Sequence, residues 1–395
     1  MSVQRLASRL DAVLINTNTC LDVRDGPAVL YHHGGPALAP ASTQKLLVAA
    51  AALDLLGPAY RFVTSVVATA PPVDGRVADL WLVGGGDPML ASPEYTAYLA
   101  TQPITAGPLP TTQIATLADQ LVADGVRSVP GGVHGDDSRF ERLRFLPSWK
   151  PAYALEADVA PLGALEVDHG LDRWQPNRLT SDPAAHAAGV LARLAGARKI
   201  ALAQGPDATA PAGATLLAAV KSPPLADIVA TMLRTSDNTT AELLVRELDR
   251  AQGGTGTTAG GLTIITAEAA KLGLPMADVH LVDGSGLSTE DRATCDVLLG
   301  AIGLSGHAPF TAMAAGLAIA GRSGTLVERF RGTAAEGHLA AKTGSLEGVA
   351  GLVGVLDEHR RVSFALLANG AFGPLGGAAL EDRVVNAVGT YPEGG

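Results

Sequence analysis

Lysine is scarce in this chain of 395 residues, with six in all and a formal net charge of −10. No basic stripe exists that could follow a phosphate backbone, so a nucleic-acid partner is not expected. Long apolar runs are missing as well. The longest, Leu46 to Leu53, falls well short of the roughly 18 residues that a membrane-spanning helix requires, and no transmembrane segment is expected. The opening MSVQRLASRLDAVL carries Arg5, Arg9 and Asp11 where a secretory signal shows an uninterrupted apolar stretch, so no export signal is read there. Cysteine occurs only at Cys20 and Cys295. The pair is either one disulfide of an exported protein or two buried thiols in a reducing compartment.

What the chain does have is apolar mass. With 47% hydrophobic and 17% charged residues it can bury a large core, and its length suits two or more domains. VQRLASRLDAVL reads as a helix, and TCLDV and AVLYH read as strands joined by a turn at Asp25-Gly26. In APASTQKLLVAAAALDLLG a helix begins at Ser42, after Pro40, and is apolar on every side until Gly57-Pro58, so it should be buried. From about residue 68 the texture changes. A hairpin is expected around VDGRVADLWLV, a tight loop at GGGDP, and helices at TTQIATLADQLVADG and DPAAHAAGVLARLAGA. Past residue 215 helical texture returns at PPLADIVATMLRTSDNTTAELLVRELD, followed by the strands LAAKTG, VAGLVGVLD and VSFALLANG and a last helix at AALEDRVVNAVGTY. The two ends together describe an α+β domain, an antiparallel sheet of about five strands covered by helices. Residues 1–67 and 216–395 are its two parts, and 68–215 are an inserted region or two small inserted domains.

Three short motifs carry chemistry. Ser42-Thr43-Gln44-Lys45 sets a hydroxyl and an amine at i and i+3 on one helix face, where the amine can take the hydroxyl proton. The amine must be neutral to do so. Burial together with a second cation would lower its pKa, and Lys342 is the expected cation. A helix N-terminus at Ser42 also offers its own N–H and the positive end of the dipole to an oxyanion. Seventeen serines and six lysines make a chance S-x-x-K roughly a one-in-four event, so this motif gains meaning only with partners. Ser236-Asp237-Asn238 sits in a short loop between helices, where an ordinary N-cap would look the same. Lys342-Thr343-Gly344-Ser345 ends a strand, where an amine and hydroxyls can bind a carboxylate and Gly344 admits a ligand close to the backbone. Together and in this order, on helix, loop and strand, they form the S-x-x-K, S-D-N and K-T-G set of penicillin-binding proteins and serine beta-lactamases.

The flanking text PASTQKLLVAAAALDLLGP, TSDNTTAELL, DGSGLS and AAKTGSLEGVAGLVGVL resembles the class C low-molecular-mass penicillin-binding proteins, D-alanyl-D-alanine carboxypeptidases and endopeptidases, from about residue 17 to residue 370. The 194 positions from Ser42 to Ser236 match the long insertion of that class. The resemblance implies Ser42 as nucleophile, Lys45 as its base and Ser236 as proton relay to the leaving amine, with Asn238 holding Lys45 and the substrate backbone. It implies positive potential from Lys342, a terminal D-alanine carboxylate on Thr343 and Ser345, and an oxyanion donor in the Ser345 N–H. The partner so implied is a peptidoglycan stem peptide, with beta-lactams as covalent inhibitors, in an extracytoplasmic setting and without a cofactor or metal. GDDSRF resembles a family segment whose acidic residue faces the substrate side chain, which makes Asp136 or Asp137 a specificity candidate. After DGSGLS many relatives carry an Arg where this chain has Thr289, and Arg292 is the candidate to compensate.

Two other readings belong beside this one. A beta-lactamase or esterase would share the site, although no E-x-x-L-N is present to supply a class A deacylating Glu. A cell-wall binding or scaffold protein would keep the fold without the chemistry, against which stand intact Ser42, Lys45 and Lys342. His32-His33 and the HGDD at His134 lack the spacing of metal ligands on one element, and are read as solvated turns.

Overall fold

Alternation along two adjacent strands explains most of the main core. In the computed structural model, which describes residues 2–14, 18–102 and 109–392, Leu352, Phe364 and Leu366 turn to one face of a sheet. There they meet the helices Val3–Leu14 and Pro374–Gly389. Val353, Ala365 and Leu367 turn to the other face, against the helices Lys45–Leu55 and Cys295–Leu304. Both faces are thus covered, which is why Val349–Asp357 and Arg361–Asn369 read as nearly continuous apolar runs.

The sheet has six strands in the order Ala318–Ile319, Leu339–Leu346, Val349–Asp357, Arg361–Asn369, Asn18–Asp25 and Ala28–His33, all antiparallel. The five strands expected from the sequence are present. The sixth is a two-residue edge strand, too short to leave a period in the sequence. The hairpin turn lies at Asp25-Gly26 as expected, with Gly26 at φ +54°. The first strand pairs with Arg361–Asn369, so the two ends of the chain share one sheet.

The helix Lys45–Leu55 is buried from Lys45 to Leu53, in keeping with its all-round apolar sequence. Its approach to the sheet depends on two glycines that face each other across a strand pair, Gly344 and Gly351. A Cβ on Gly344 would stand 2.6 Å from the Pro40 carbonyl oxygen, and one on Gly351 3.0 Å from Thr43 Cγ2. The glycine of the K-T-G motif therefore makes room for the turn that carries Ser42. This packing purpose was not visible in the sequence, which pointed only to the approach of a ligand.

A second, mixed sheet of five strands follows the order Ala201–Gln204, Ser128–Asp136, Leu80–Val83, Val63–Ala68 and Thr215–Lys221. The helices Ala115–Ala123 and Pro183–Ala197 bury their apolar faces on it. Val73 and Arg76 close a tight turn, while Leu80–Val83 pairs with Val63–Ala68 and Ser128–Asp136. The hairpin expected around VDGRVADLWLV is therefore present, with its tip at Val73 to Arg76 and Val63–Ala68 and Leu80–Val83 as its strands, the second of which also pairs with Ser128–Asp136. The junctions expected after residues 67 and 215 fall within Val63–Ala68 and Thr215–Lys221, which pair with each other.

Cys20 and Cys295 form a disulfide with their Cα atoms 5.9 Å apart, tying the first strand to the helix Cys295–Leu304. Among the described residues no helix is long and apolar enough to cross a membrane. Replacing both cysteines with serine should cost about 2 to 5 kcal/mol of unfolding free energy, read as a lower urea midpoint. Intact mass of the parent should rise by about two protons on reduction.

Candidate active site

Ser42 stands on a single turn of 3-10 helix, Ala41–Gln44, that runs directly into the buried helix. The turn is forced by Ala41, a non-glycine residue at φ +46°, a left-handed conformation that surrounding structure must hold in place. Part of that support is Gly286 at φ +81°, where a Cβ would lie 2.0 Å from the Ala41 carbonyl oxygen.

Lys45 reaches back along the helix, and its Nζ donates to Ser42 Oγ at 2.9 Å, to Asn238 Oδ1 at 2.7 Å and to the Ser285 carbonyl oxygen at 2.6 Å. Its side chain is fully buried, and burial lowers its pKa to about 8 although Asp283, Glu242, Asp237 and Asp291 pull the other way. Lys342, also fully buried, donates from Nζ to Ser236 Oγ and to the Thr343 carbonyl oxygen, each at 2.8 Å. Burial and then the charge of Lys45 hold its pKa well below the ordinary value. Burial is the leading cause that lowers both amines.

The S-D-N loop serves two purposes at once. Ser236 ends the helix Leu225–Thr235 in a left-handed conformation, φ +62°, which turns its hydroxyl toward Lys342. Asp237 is the N-cap of the helix Asn238–Ala251, accepting from the Thr240 N–H at 3.0 Å, and Asn238 opens that helix beside Lys45. Asn238 Nδ2 donates to the Asp158 carbonyl oxygen at 2.8 Å, so one of its amide hydrogens is spent on the protein. Thr343 Oγ1 lies 2.7 Å from Thr325 Oγ1, and Ser345 is exposed. Beside Ser236, Asp237 and Asn238 opens a cavity of about 400 Å³ walled also by Tyr95, Asp158 and His169.

The DGSGLS segment forms the opposite support of Lys45. Asp283 accepts from the N–H groups of Gly286 at 2.6 Å and Ser288 at 2.7 Å, and from Trp149 Nε1 at 2.8 Å. Asp291 accepts from the Val282 N–H at 2.6 Å. Its pKa is raised to about 9 by burial and by Asp283. Gln44, next to Lys45, donates to both the Asp283 carbonyl and Asp291. The sequence marked this segment only by its resemblance to the family and by Thr289 where many relatives carry an Arg. Gln44, Glu242, Asp291 and Thr325 gave no separate signal, since each is an ordinary polar residue until the fold gathers it.

Three expected specificity residues are not brought to this cluster. Asp136 is buried and accepts from the backbone N–H of Ser138 and of Ala210, at 2.9 and 2.7 Å. Asp137 is buried against Arg142 and Arg144. The exposed Arg292 folds its guanidinium onto the carbonyls of Thr289 and Asp291, both at 2.7 Å. Their polar groups are spent on local structure. HGDD is likewise no turn: His134 to Asp136 end a strand, and His134 contacts the Pro206 carbonyl and Asp79. Among the described residues one group, Asp22, His32 and Asp296, holds possible metal-ligand atoms within 4.8 Å of one another, drawn from three elements.

A hydroxyl and two buried amines gathered between an all-helical layer and an antiparallel sheet define a serine hydrolase of the penicillin-interacting fold. The chain belongs to the D-Ala-D-Ala carboxypeptidase 3 (S13) family, whose model matches residues 8–173 and 177–389, and is thereby a serine-type D-alanyl-D-alanine carboxypeptidase. A D-alanyl-D-alanine carboxypeptidase of an Actinomadura species is 30% identical over 461 aligned residues, covering 95% of this chain and 82% of that one. A carboxypeptidase of Mycobacterium tuberculosis is 36% identical over 360 residues, 87% of this chain and 74% of that one. In fold, penicillin binding protein 4 of Haemophilus influenzae matches with a TM-score of 0.80 at 19% identity, over 99% of this chain and 100% of the other. A predatory peptidoglycan endopeptidase of Bdellovibrio bacteriovorus matches with a TM-score of 0.55 at 16% identity, over 95% and 93%.

The lowered pKa of Lys45 sets a pH dependence. Only the neutral amine can accept a proton, so below a pH of about 8 the reactive fraction falls as Lys45 protonates. The rate of acylation by a penicillin should rise with pH, close to tenfold per unit on the acid side, and level off above about 8. A flat profile between pH 5.5 and 9 would contradict Lys45 as the base.

Proposed function

We propose that Ser42 is the acylated nucleophile, Lys45 its general base and Ser236 the proton donor to the leaving group, in hydrolysis of the terminal D-alanyl-D-alanine bond of peptidoglycan stem peptides. The observation that carries this reading is the amine of Lys45, fully buried and 2.9 Å from Ser42 Oγ. Neutral Lys45 takes the hydroxyl proton as Oγ bonds to the carbonyl carbon of the penultimate D-alanine. The C–N bond then breaks. Ser236 Oγ gives its proton to the departing nitrogen and is reprotonated from Lys342 Nζ, 2.8 Å away. Before deacylation Lys45 releases the proton taken from Ser42 to solvent and Lys342 regains one; neutral Lys45 then deprotonates the water that attacks the ester and returns that proton to Ser42 Oγ as the C–O bond breaks.

Asn238 Oδ1 keeps Lys45 aimed at Ser42, while Thr343 and Ser345 are the proposed seats of the terminal carboxylate. That anion favours the protonated form of Lys342, whose charge burial and Lys45 disfavour. Backbone N–H groups of Ser42 and Ser345 are the proposed oxyanion donors. Beta-lactams, carrying a carboxylate and a strained amide, would acylate the same hydroxyl.

The Cys20–Cys295 disulfide supports an extracytoplasmic setting, because such bonds persist in oxidising compartments. We also place the inserted unit at 63–221, since the strands at both its ends belong to the second sheet.

A labelled penicillin should form a stable adduct with the parent protein and none with Ser42→Ala. D-alanine release from a stem-peptide analogue should fall by at least about a thousandfold in Ser42→Ala, the usual scale for loss of a nucleophile. Release undiminished in Ser42→Ala would overturn the assignment.

A further inference from the structure

Glu242 lies one helical turn beyond Asn238, on the same face of the helix Asn238–Ala251. Its side chain is fully buried, yet the steps sketched above do not use it. Glu242 Oε1 accepts from two consecutive backbone N–H groups of the DGSGLS segment, Gly284 at 3.0 Å and Ser285 at 2.7 Å. The carbonyl oxygen of Ser285 accepts the shortest of the three contacts from Lys45 Nζ, at 2.6 Å. One helix therefore grips the base twice, directly through Asn238 Oδ1 and, one turn later, through Glu242 and the Ser285 peptide.

The geometry points to Glu242 as a positioning residue for the acylation step: by anchoring the Gly284 and Ser285 N–H groups, its carboxylate helps place the adjoining Ser285 carbonyl that aims Lys45 at Ser42. Without that grip nothing on the helix side would hold Gly284 and Ser285. Gly284 packs so closely that a Cβ there would stand 2.4 Å from Val245 Cγ2, so the segment sits at its distance from the helix because the carboxylate draws it in. Asp283 and Asp291 hold the segment from within, and Asp283 accepts from the Gly286 N–H of the peptide unit that carries the Ser285 carbonyl, while Glu242 holds the peptide units just before it.

Glu242 also acts on Lys45 through its charge. Burial and Asp283 raise its pKa to about 7, with Arg246 of the same helix opposing, so at pH 8 it is largely ionised. Asp283 and Asp237 face Lys45 as well and stabilise the protonated amine as Glu242 does, while Asp291, raised to about 9, is largely protonated on the acid limb. Removing the charge of Glu242 makes Lys45 easier to deprotonate and moves the acid limb of the acylation profile to lower pH.

The inference rests on the proposal that Lys45 activates Ser42, and two variants test it. Glu242→Gln keeps an acceptor oxygen for both N–H groups and discards the charge. It should retain the plateau acylation rate within about threefold, with a midpoint lower by about half a pH unit or more, because each pH unit is tenfold in protonation equilibrium. Glu242→Ala leaves the Gly284 and Ser285 N–H groups unheld and the Ser285 carbonyl anchored from one side, through Asp283 at the Gly286 N–H. Its plateau rate should fall by about tenfold or more, with the loss in the acylation rate constant rather than in the initial affinity for the penicillin. Wild-type profiles in both variants would overturn the inference while leaving Lys45 as base. So would an unshifted midpoint in folded Glu242→Gln, should Glu242→Ala fail to fold. Failure of the underlying reading shows differently, as a parent protein that is not acylated or whose acylation ignores pH.

Discussion

An amine fully buried at the first turn of an apolar helix is the constraint on which the rest of the structure depends. Lys45 has no access to water, and an ammonium in such a place is costly unless every proton finds an acceptor. Three acceptors are supplied from three different elements: the Ser42 hydroxyl, the Asn238 amide and the Ser285 carbonyl. Each reaches its place through backbone that few residues adopt. Ala41 turns left-handed before Ser42, Ser236 before the helix that opens with Asn238, and Gly286 just after Ser285. The strain concentrated here is the counterpart of the preorganisation that acyl transfer requires.

The acceptors in turn need anchors, which explains the unusual number of buried carboxylates. Asp283, Asp291 and Glu242 are all within the protein interior, and each accepts backbone N–H groups of the segment that wraps over Lys45. Crowding raises the pKa of Glu242 and Asp291 through burial and through Asp283. The same anions offset part of the burial penalty on Lys45. An amine with a pKa lowered to about 8 is thus the balance of a dry helix and an acidic loop, with Lys342 held below its ordinary range alongside.

Much of this was legible in the sequence where the signal is periodic or clustered. The helices, the antiparallel strands of the main sheet and the buried helix behind Ser42 follow from apolar spacing. Ser42, Lys45, Ser236, Asn238 and Lys342 stand in three motifs whose order and setting leave little room for accident. Other readings misled because one residue type serves several ends. Asp136, Asp137 and Arg292 looked like recognition groups and are consumed by Ser138, by Arg142 and Arg144, and by neighbouring carbonyls. The hairpin around VDGRVADLWLV was legible in its turn residues, but the pairing of Leu80–Val83 with Ser128–Asp136 was not, because periodicity tells that a strand exists and not every strand it meets.

Local spacing along one chain, then, determined the elements and the chemistry-bearing side chains, because helix and strand periods and the reach from i to i+3 are properties of neighbours. Only the tertiary structure decided the pairing of Cys20 with Cys295 from the alternatives left open, the facing glycines 344 and 351 that admit the Ser42 turn, and the hold of Glu242 on Ser285. Those are contacts between distant segments. Their geometry is set by how layers pack, and no stretch of sequence contains it.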